Sequence, residues 1–137
     1  MINFNYKNKF RLKKSKKIKL WLIEICKNEG SKLNALSIVF GDDNFLLEFN
    51  KQYLNHDTLT DVITFDYGNT SEIHGDILIS TERVKENAKD YGQLISNEVN
   101  RVMAHGLLHL LGYKDKTKKE KEIIRNKENK YLKTLNT

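Results

Sequence analysis

The stretch His105-Gly106-Leu107-Leu108-His109-Leu110-Leu111-Gly112-Tyr113-Lys114-Asp115 constrains this chain more than any other. Its leucines follow a helical period, and two histidines stand four residues apart within it. On a helix, residues i and i+4 share one face, with Cβ atoms roughly 5–6 Å apart. Two imidazoles so placed can hold one metal ion, each Zn–N bond being about 2.0–2.1 Å. Gly112 suits a chain leaving the helix in the left-handed conformation. Asp115, six residues after His109, can fold back and offer a carboxylate. Three protein ligands (His105, His109 and Asp115) with a fourth position open describe a catalytic zinc site rather than a structural one.

A lone pair of helical histidines is more often an ordinary helix surface with two satisfied imidazoles. Here the glycine and the carboxylate fall at the spacing of the long zincin pattern, His-x-x-x-His-x-x-Gly-x-x-His, which favours the metal. That pattern carries a glutamate after its first histidine, the general base of a zinc protease. This chain has Gly106 there, and glycine takes no proton. The substitution argues against peptidase chemistry, and it leaves room for a neighbouring strand or a substrate backbone near the metal.

Charge is segregated along the chain. Residues 1–19 hold eight Lys/Arg and no acid, residues 20–80 are net −7, and residues 114–137 are net +5. A basic surface built from the two ends would attract a polyanion such as RNA; two solvated helix faces are the alternative. Cys26 is the only cysteine, so no intramolecular disulfide forms, and its neighbours Trp21, Ile23 and Ile25 point to a buried helical thiol. No stretch has the ~20 apolar residues of a membrane span. With 137 residues the chain is expected to form a single catalytic domain, 1–137, acting in the cytoplasm.

In order, Ile2, Phe4 and Tyr6 alternate with asparagines as a first strand. Residues 13–29 carry a helical stripe that Gly30 ends. Residues 35–40 read as a strand, and Asp42 or Asp43 caps a helix bearing Phe45, Leu46, Phe49 and Tyr53. Residues 61–65 and 73–80 read as a hairpin pair, with Ile73, Gly75, Ile77 and Ile79 on one face of the second. Ser80 or Thr81 caps a helix closed by Gly92. Residues 97–111 form the clearest helix, with Val99, Val102, Met103, Gly106, Leu107 and Leu110 inward and Glu98, Arg101, His105 and His109 on a different face. Thr117-Lys118-Lys119-Glu120 is a capping box opening a last helix, with Ile124, Tyr131, Leu132 and Leu135 inward.

These motifs together resemble the YbeY family of bacterial metal-dependent endoribonucleases of rRNA maturation. Residues 105–113 are similar to its signature His-Gly-x-Leu-His-Leu-x-Gly-Tyr. Leu59-Thr60-Asp61-Val62-Ile63-Thr64-Phe65 resembles its Pro-Thr-Asp-Val-Leu-Ser-Phe strand, Gly75-Asp76-Ile77 its Gly-Asp-Ile strand, and Glu98 stands where the family carries a glutamate. The resemblance implies an α+β fold: a small mixed four-stranded sheet with packed helices and a zincin-like metal helix beneath it. It implies cleavage of single-stranded RNA in small-subunit (16S) rRNA maturation and ribosome quality control, with one divalent metal, Zn2+, and the ribosomal small subunit as a partner. Two other classes stand beside it: a zinc hydrolase of peptides or small molecules, and a non-catalytic ribosome-assembly factor.

The chain departs from the family pattern at three places. Asp115 replaces the usual third histidine, with Lys114 ahead of it. Leu59 replaces a proline. Leu54 stands where the family has an arginine suited to binding phosphate. Lys51, Arg101 and Lys114 are the candidates to supply that charge. No general base is assigned: Asp61, Asp66 and Asp76 read first as turn or capping residues. His56 and His74 read first as surface residues, His74 being the better second-choice ligand.

Overall fold

The protein is described here by a computed structural model covering residues 1–53 and 60–135; Leu54, His56 and Leu59 lie outside the described residues. Element order is β1 (Ile2–Tyr6), α1 (Ser15–Asn28), β2 (Lys32–Gly41), α2 (Asp43–Tyr53), β3 (Val62–Asp66), β4 (Glu72–Ser80), α3 (Thr81–Asp90), α4 (Ile95–Leu110) and α5 (Lys118–Leu135). The strands form one mixed sheet of order β1-β2-β4-β3. β1 and β4 run parallel to β2, and β3 pairs antiparallel with β4. This is the α+β arrangement expected from the sequence. β2 begins three residues earlier than its apolar run, because Lys32 and Leu33 pair with Glu72 and Ile73.

One face of the sheet carries the main core. Ile38, Phe40, Ile73, Ile77 and Ile79 meet Leu22 and Ile25 of α1, Met103 and Leu107 of α4 and Tyr131 of α5. Each such side chain, fully buried, is worth roughly 1.5–3 kcal/mol. The opposite face is covered at the β3 side by α2, where Leu46 packs on Ile63 and Leu78. Cys26 is fully buried, and burial pushes its thiol up to about 12. Trp21 donates its indole N–H to the carbonyl of Tyr131 at 2.8 Å, joining α1 to α5.

Side-chain caps open three of the helices. The Asp42 carboxylate accepts the N–H of Phe45 at 2.9 Å, and Ser80 Oγ accepts that of Arg83 at 3.2 Å. Thr117 Oγ1 accepts the Glu120 N–H at 3.1 Å while the Glu120 carboxylate accepts the Thr117 N–H at 2.9 Å, a reciprocal capping box.

Glycines set how closely α4 approaches the sheet. A Cβ at Gly106 would lie 2.9 Å from Ile77 Cγ2, and one at Gly75 would lie 2.6 Å from the Phe65 carbonyl oxygen and 3.0 Å from Leu110 Cδ1. The bare position after the first histidine therefore admits a neighbouring strand, β4. Ile77 is fully buried and β-branched, so it has little freedom to retreat. Gly106→Ala should destabilise the fold by about 1–3 kcal/mol, despite alanine's higher helix propensity. Chemical denaturation checks this; an unchanged or raised midpoint would show that α4 and β4 have slack.

Candidate metal centre

The end of α4 builds the site. The N–H of Gly112 bonds to the carbonyl of His109 and that of Tyr113 to the carbonyl of Leu108, both at 3.0 Å, the paired pattern of a Schellman turn. Gly112 holds φ +104, open to glycine and hostile to other residues. The reversal carries Asp115 back over the helix face. Its Oδ2 lies 3.2 Å from His105 Nε2 and 3.3 Å from His109 Nε2, and the two Nε2 atoms are 2.9 Å apart. Donor atoms about 2.0–2.1 Å from a tetrahedral ion are spaced by roughly 3.3 Å, close to all three edges.

The far side of each ring fixes what faces inward. His109 Nδ1 donates to the Tyr113 carbonyl at 3.0 Å, since a carbonyl only accepts. His105 Nδ1 lies 2.6 Å from Glu128 Oε2. Glu128 is 5% exposed. Burial pushes its carboxyl up, but the bonds from His105 and Arg101 outweigh this and hold it below the usual range, so it is charged and accepts. In its neutral form each imidazole therefore turns an Nε2 lone pair toward a carboxylate oxygen. With both rings neutral, three acceptors meet there, a set that fits a divalent cation. Among the described residues, these three form the one group of His, Cys, Asp and Glu side chains close enough to share an ion.

Burial pushes the His105 imidazole toward its neutral form, but Glu128, Asp115 and Asp61 together raise it above the ordinary 6.5. The same negative surroundings that hold a proton there attract a metal cation. In metal-free protein, protonated His105 contributes stability that is full below the unfolded value and fades as pH rises through the folded one. Metal binds the deprotonated ring, so its stabilisation grows over the same window. The rise in Tm on adding saturating divalent metal should be larger near pH ~8 than near pH ~6. Equal increments at both would contradict competition between proton and metal at these nitrogens.

A family model described as Endoribonuclease YbeY matches residues 2–136. The chain belongs to the YbeY family. The Endoribonuclease YbeY of Flavobacterium psychrophilum is 48% identical over 133 residues, covering 97% of this chain and 95% of that one. That of Cytophaga hutchinsonii is 45% identical over 130 residues, covering 94% and 91%. The solution structure of TM1509 from Thermotoga maritima superposes with a TM-score of 0.70 at 28% identity, covering 98% of this chain and 89% of that one.

Beside His105 and Asp115 of this YbeY-family chain lies a cleft of about 260 Å³. Asp61 lines it, and burial raises its carboxyl above the usual range against the opposing pull of His105. Glu98 lines it too. Burial raises it similarly, with Arg101 opposing, and at 5% exposure it is more enclosed than its polar helix face suggested. Asp66 accepts the N–H of Gly68 in a turn, and Asp76 accepts the hydroxyl of Tyr67, so neither enters the cleft. His74 is exposed against the Tyr67 ring at 5.6 Å and does not join the metal group.

Of the three cations weighed for the missing arginine's charge, Arg101 lines the cleft. It donates to Glu128 at 2.9 Å and to Asn129 at 2.8 Å. Lys114 is exposed outside the cleft, and Lys51 sits in the last turn of α2. Lys121 and Arg125 of α5 also line it, cations that spacing alone did not single out.

The loop bearing Asp115 is anchored from behind. Glu29, after the end of α1, accepts the hydroxyls of Tyr113 and Tyr131 and, at 3.2 Å, the ammonium of Lys127. Burial works against the charged carboxylate, and these three donors outweigh it, so Glu29 stays below the usual range.

Proposed function

We propose that this chain is a metal-dependent endoribonuclease that hydrolyses phosphodiesters of single-stranded RNA, acting as one catalytic domain over residues 1–137. The observation that carries the reading is the meeting of His105 Nε2, His109 Nε2 and Asp115 Oδ2 within 3.3 Å of one another at the mouth of a cleft lined by Arg101, Lys121 and Arg125. Its relatives' name, Endoribonuclease YbeY, supports the substrate. The two-histidine, one-carboxylate set suits Zn2+. When bound, the metal supplies Lewis acidity toward a phosphoryl oxygen and a nucleophile at neutral pH.

The chain's own groups do the rest. His105 and His109 are oriented by Glu128 and the Tyr113 carbonyl, so little rearrangement is needed when substrate arrives. Arg101, Lys121 and Arg125 offset the phosphate charge entering the cleft. Asp61 and Glu98, both held above the usual carboxyl range, are the cleft's proton-handling groups outside the metal set. Hydrolysis forms a bond from water oxygen to phosphorus and breaks the phosphorus–ribose oxygen bond; Asp61 delivers the proton the leaving oxygen needs. Maturation of 16S rRNA, ribosome quality control and contact with the small subunit are the cellular setting we propose, in the cytoplasm. No helix among the described residues is long and apolar enough to cross a membrane.

Purified protein loaded with metal should cleave single-stranded RNA, stop when chelator is added, and leave casein intact. Casein hydrolysis would favour the zinc peptidase. Ribosome binding that survives loss of His105, with no RNA cleavage, would favour the assembly factor.

A further inference from the structure

Three neighbouring cavities follow one edge of α4. The cleft holding His105 and Asp115 shares Glu98 and Arg101 with a second cavity of about 600 Å³. That cavity shares Gln93 and Asn97 with a third, of about 720 Å³. Asn97, Arg101 and His105 recur every fourth residue and line the series, a single polar stripe of α4. At 1.5 Å per residue, about 12 Å separates Asn97 from His105 along the helix axis.

The far cavity differs in charge from the metal cleft. Arg11, Lys13, Lys14 and Lys17 line it, and among the described residues no carboxylate does. In the cleft, by contrast, carboxylates of Asp61, Glu98, Asp115 and Glu128 offset the cations. The basic loop is built into the fold rather than trailing from it. Asn8 Oδ1 accepts the N–H of Phe10 at 3.1 Å, the Tyr6 hydroxyl accepts that of Leu12 at 3.3 Å, and the Phe10 ring packs 4.9 Å from that of Phe40. The Arg11 guanidinium lies 4.7 Å from the centre of the Tyr6 ring. Lys14 holds a left-handed backbone at φ 55, where glycine would be at ease.

We propose that this series of cavities is the track of a single RNA strand, whose scissile phosphate lies beside His105 and Asp115 while phosphates farther along the same strand seat against Lys13, Lys14 and Lys17. The proposal rests on the RNA-cleavage reading above and adds to it where the strand lies. Phosphates of a stacked strand recur about every 3.4 Å, so on the order of four nucleotides span the stretch from Asn97 to His105. The remote contacts make binding length-dependent and leave the chemistry at the metal to the cleft.

The test compares the whole metal-loaded chain with a Lys13→Gln, Lys14→Gln, Lys17→Gln variant. A control changes Lys7, Lys27 and Lys32 to glutamine, exposed lysines outside all three cavities. Binding is read with a phosphorothioate-protected oligouridylate of about 12 nucleotides across a salt series. The track variant should lose about two units of log Kd against log salt slope, roughly 0.7 per phosphate contact removed, and the control should not. On cleavable RNA, KM should rise about tenfold or more for the long strand, with kcat kept and a dinucleotide substrate unaffected. Lys14→Gly should show part of the binding loss while keeping or raising Tm, which separates lost charge from lost fold. Equal salt slopes for track variant and wild type would overturn the proposal and leave the basic cavity to another occupant, such as an acidic protein segment. Failure of the wild type to cleave any RNA would overturn the nuclease reading instead, since the slopes are read without cleavage.

Discussion

Asp115→Ala should leave the protein folded and unable to retain a full equivalent of divalent metal after dialysis against a mild chelator. Asp115 is partly exposed, with side-chain exposure of 40%, and its carboxylate approaches the two Nε2 atoms at 3.2 and 3.3 Å. Removing it opens one corner of the donor triangle without emptying the core. The loss should exceed the ~10–100-fold typical of removing a supporting partner, and match that of His109→Ala. Asp115→His should keep the metal, because imidazole reaches zinc at nearly the same bond length, about 2.0–2.1 Å. If Asp115→Ala keeps its metal, the third donor lies elsewhere, and His74 is the next to change among the described residues.

Glu128→Gln should cost metal affinity by about 10–100-fold with the fold intact. The carboxylate divides its oxygens between His105 Nδ1 at 2.6 Å and the Arg101 guanidinium at 2.9 Å. An amide is nearly the same size but carries no charge, so it holds His105 less firmly with its Nε2 lone pair inward. Glu128→Ala should behave worse and also lower Tm, because it leaves the Arg101 guanidinium, 22% exposed, without its carboxylate partner. A metal titration separates the two effects. Glu128→Gln binding metal as tightly as wild type would reduce Glu128 to a packing residue.

Glu128 also shows where sequence reading stops. The histidine pair, the glycine that turns the chain and the returning aspartate lie within eleven residues, so helical spacing and turn chemistry bring them together. Glu128 lies 23 residues from His105, on a helix read with Ile124, Tyr131, Leu132 and Leu135 inward. It falls on the inward stripe with Ile124, Tyr131 and Leu135, but only the packing of α5 against α4 shows that it meets His105. The same holds for Glu29, whose partners Tyr113 and Tyr131 are 84 and 102 residues away. Asp61 was visible within its strand motif, but its burial beside His105 depends on how β3 and α4 dock. Strand identities were legible from alternation and turn residues, whereas the order β1-β2-β4-β3 emerges from pairing across the chain.

Metal titration of RNA cleavage tests the account most directly. Metal-free protein is given increasing Zn2+ and assayed on single-stranded RNA, beside a His105→Ala, His109→Ala double variant treated the same way. Activity in the wild type should climb to one equivalent of metal and level off, vanish with chelator, and be absent from the double variant at every metal concentration. Undiminished cleavage by the double variant would contradict a metal centre at His105, His109 and Asp115.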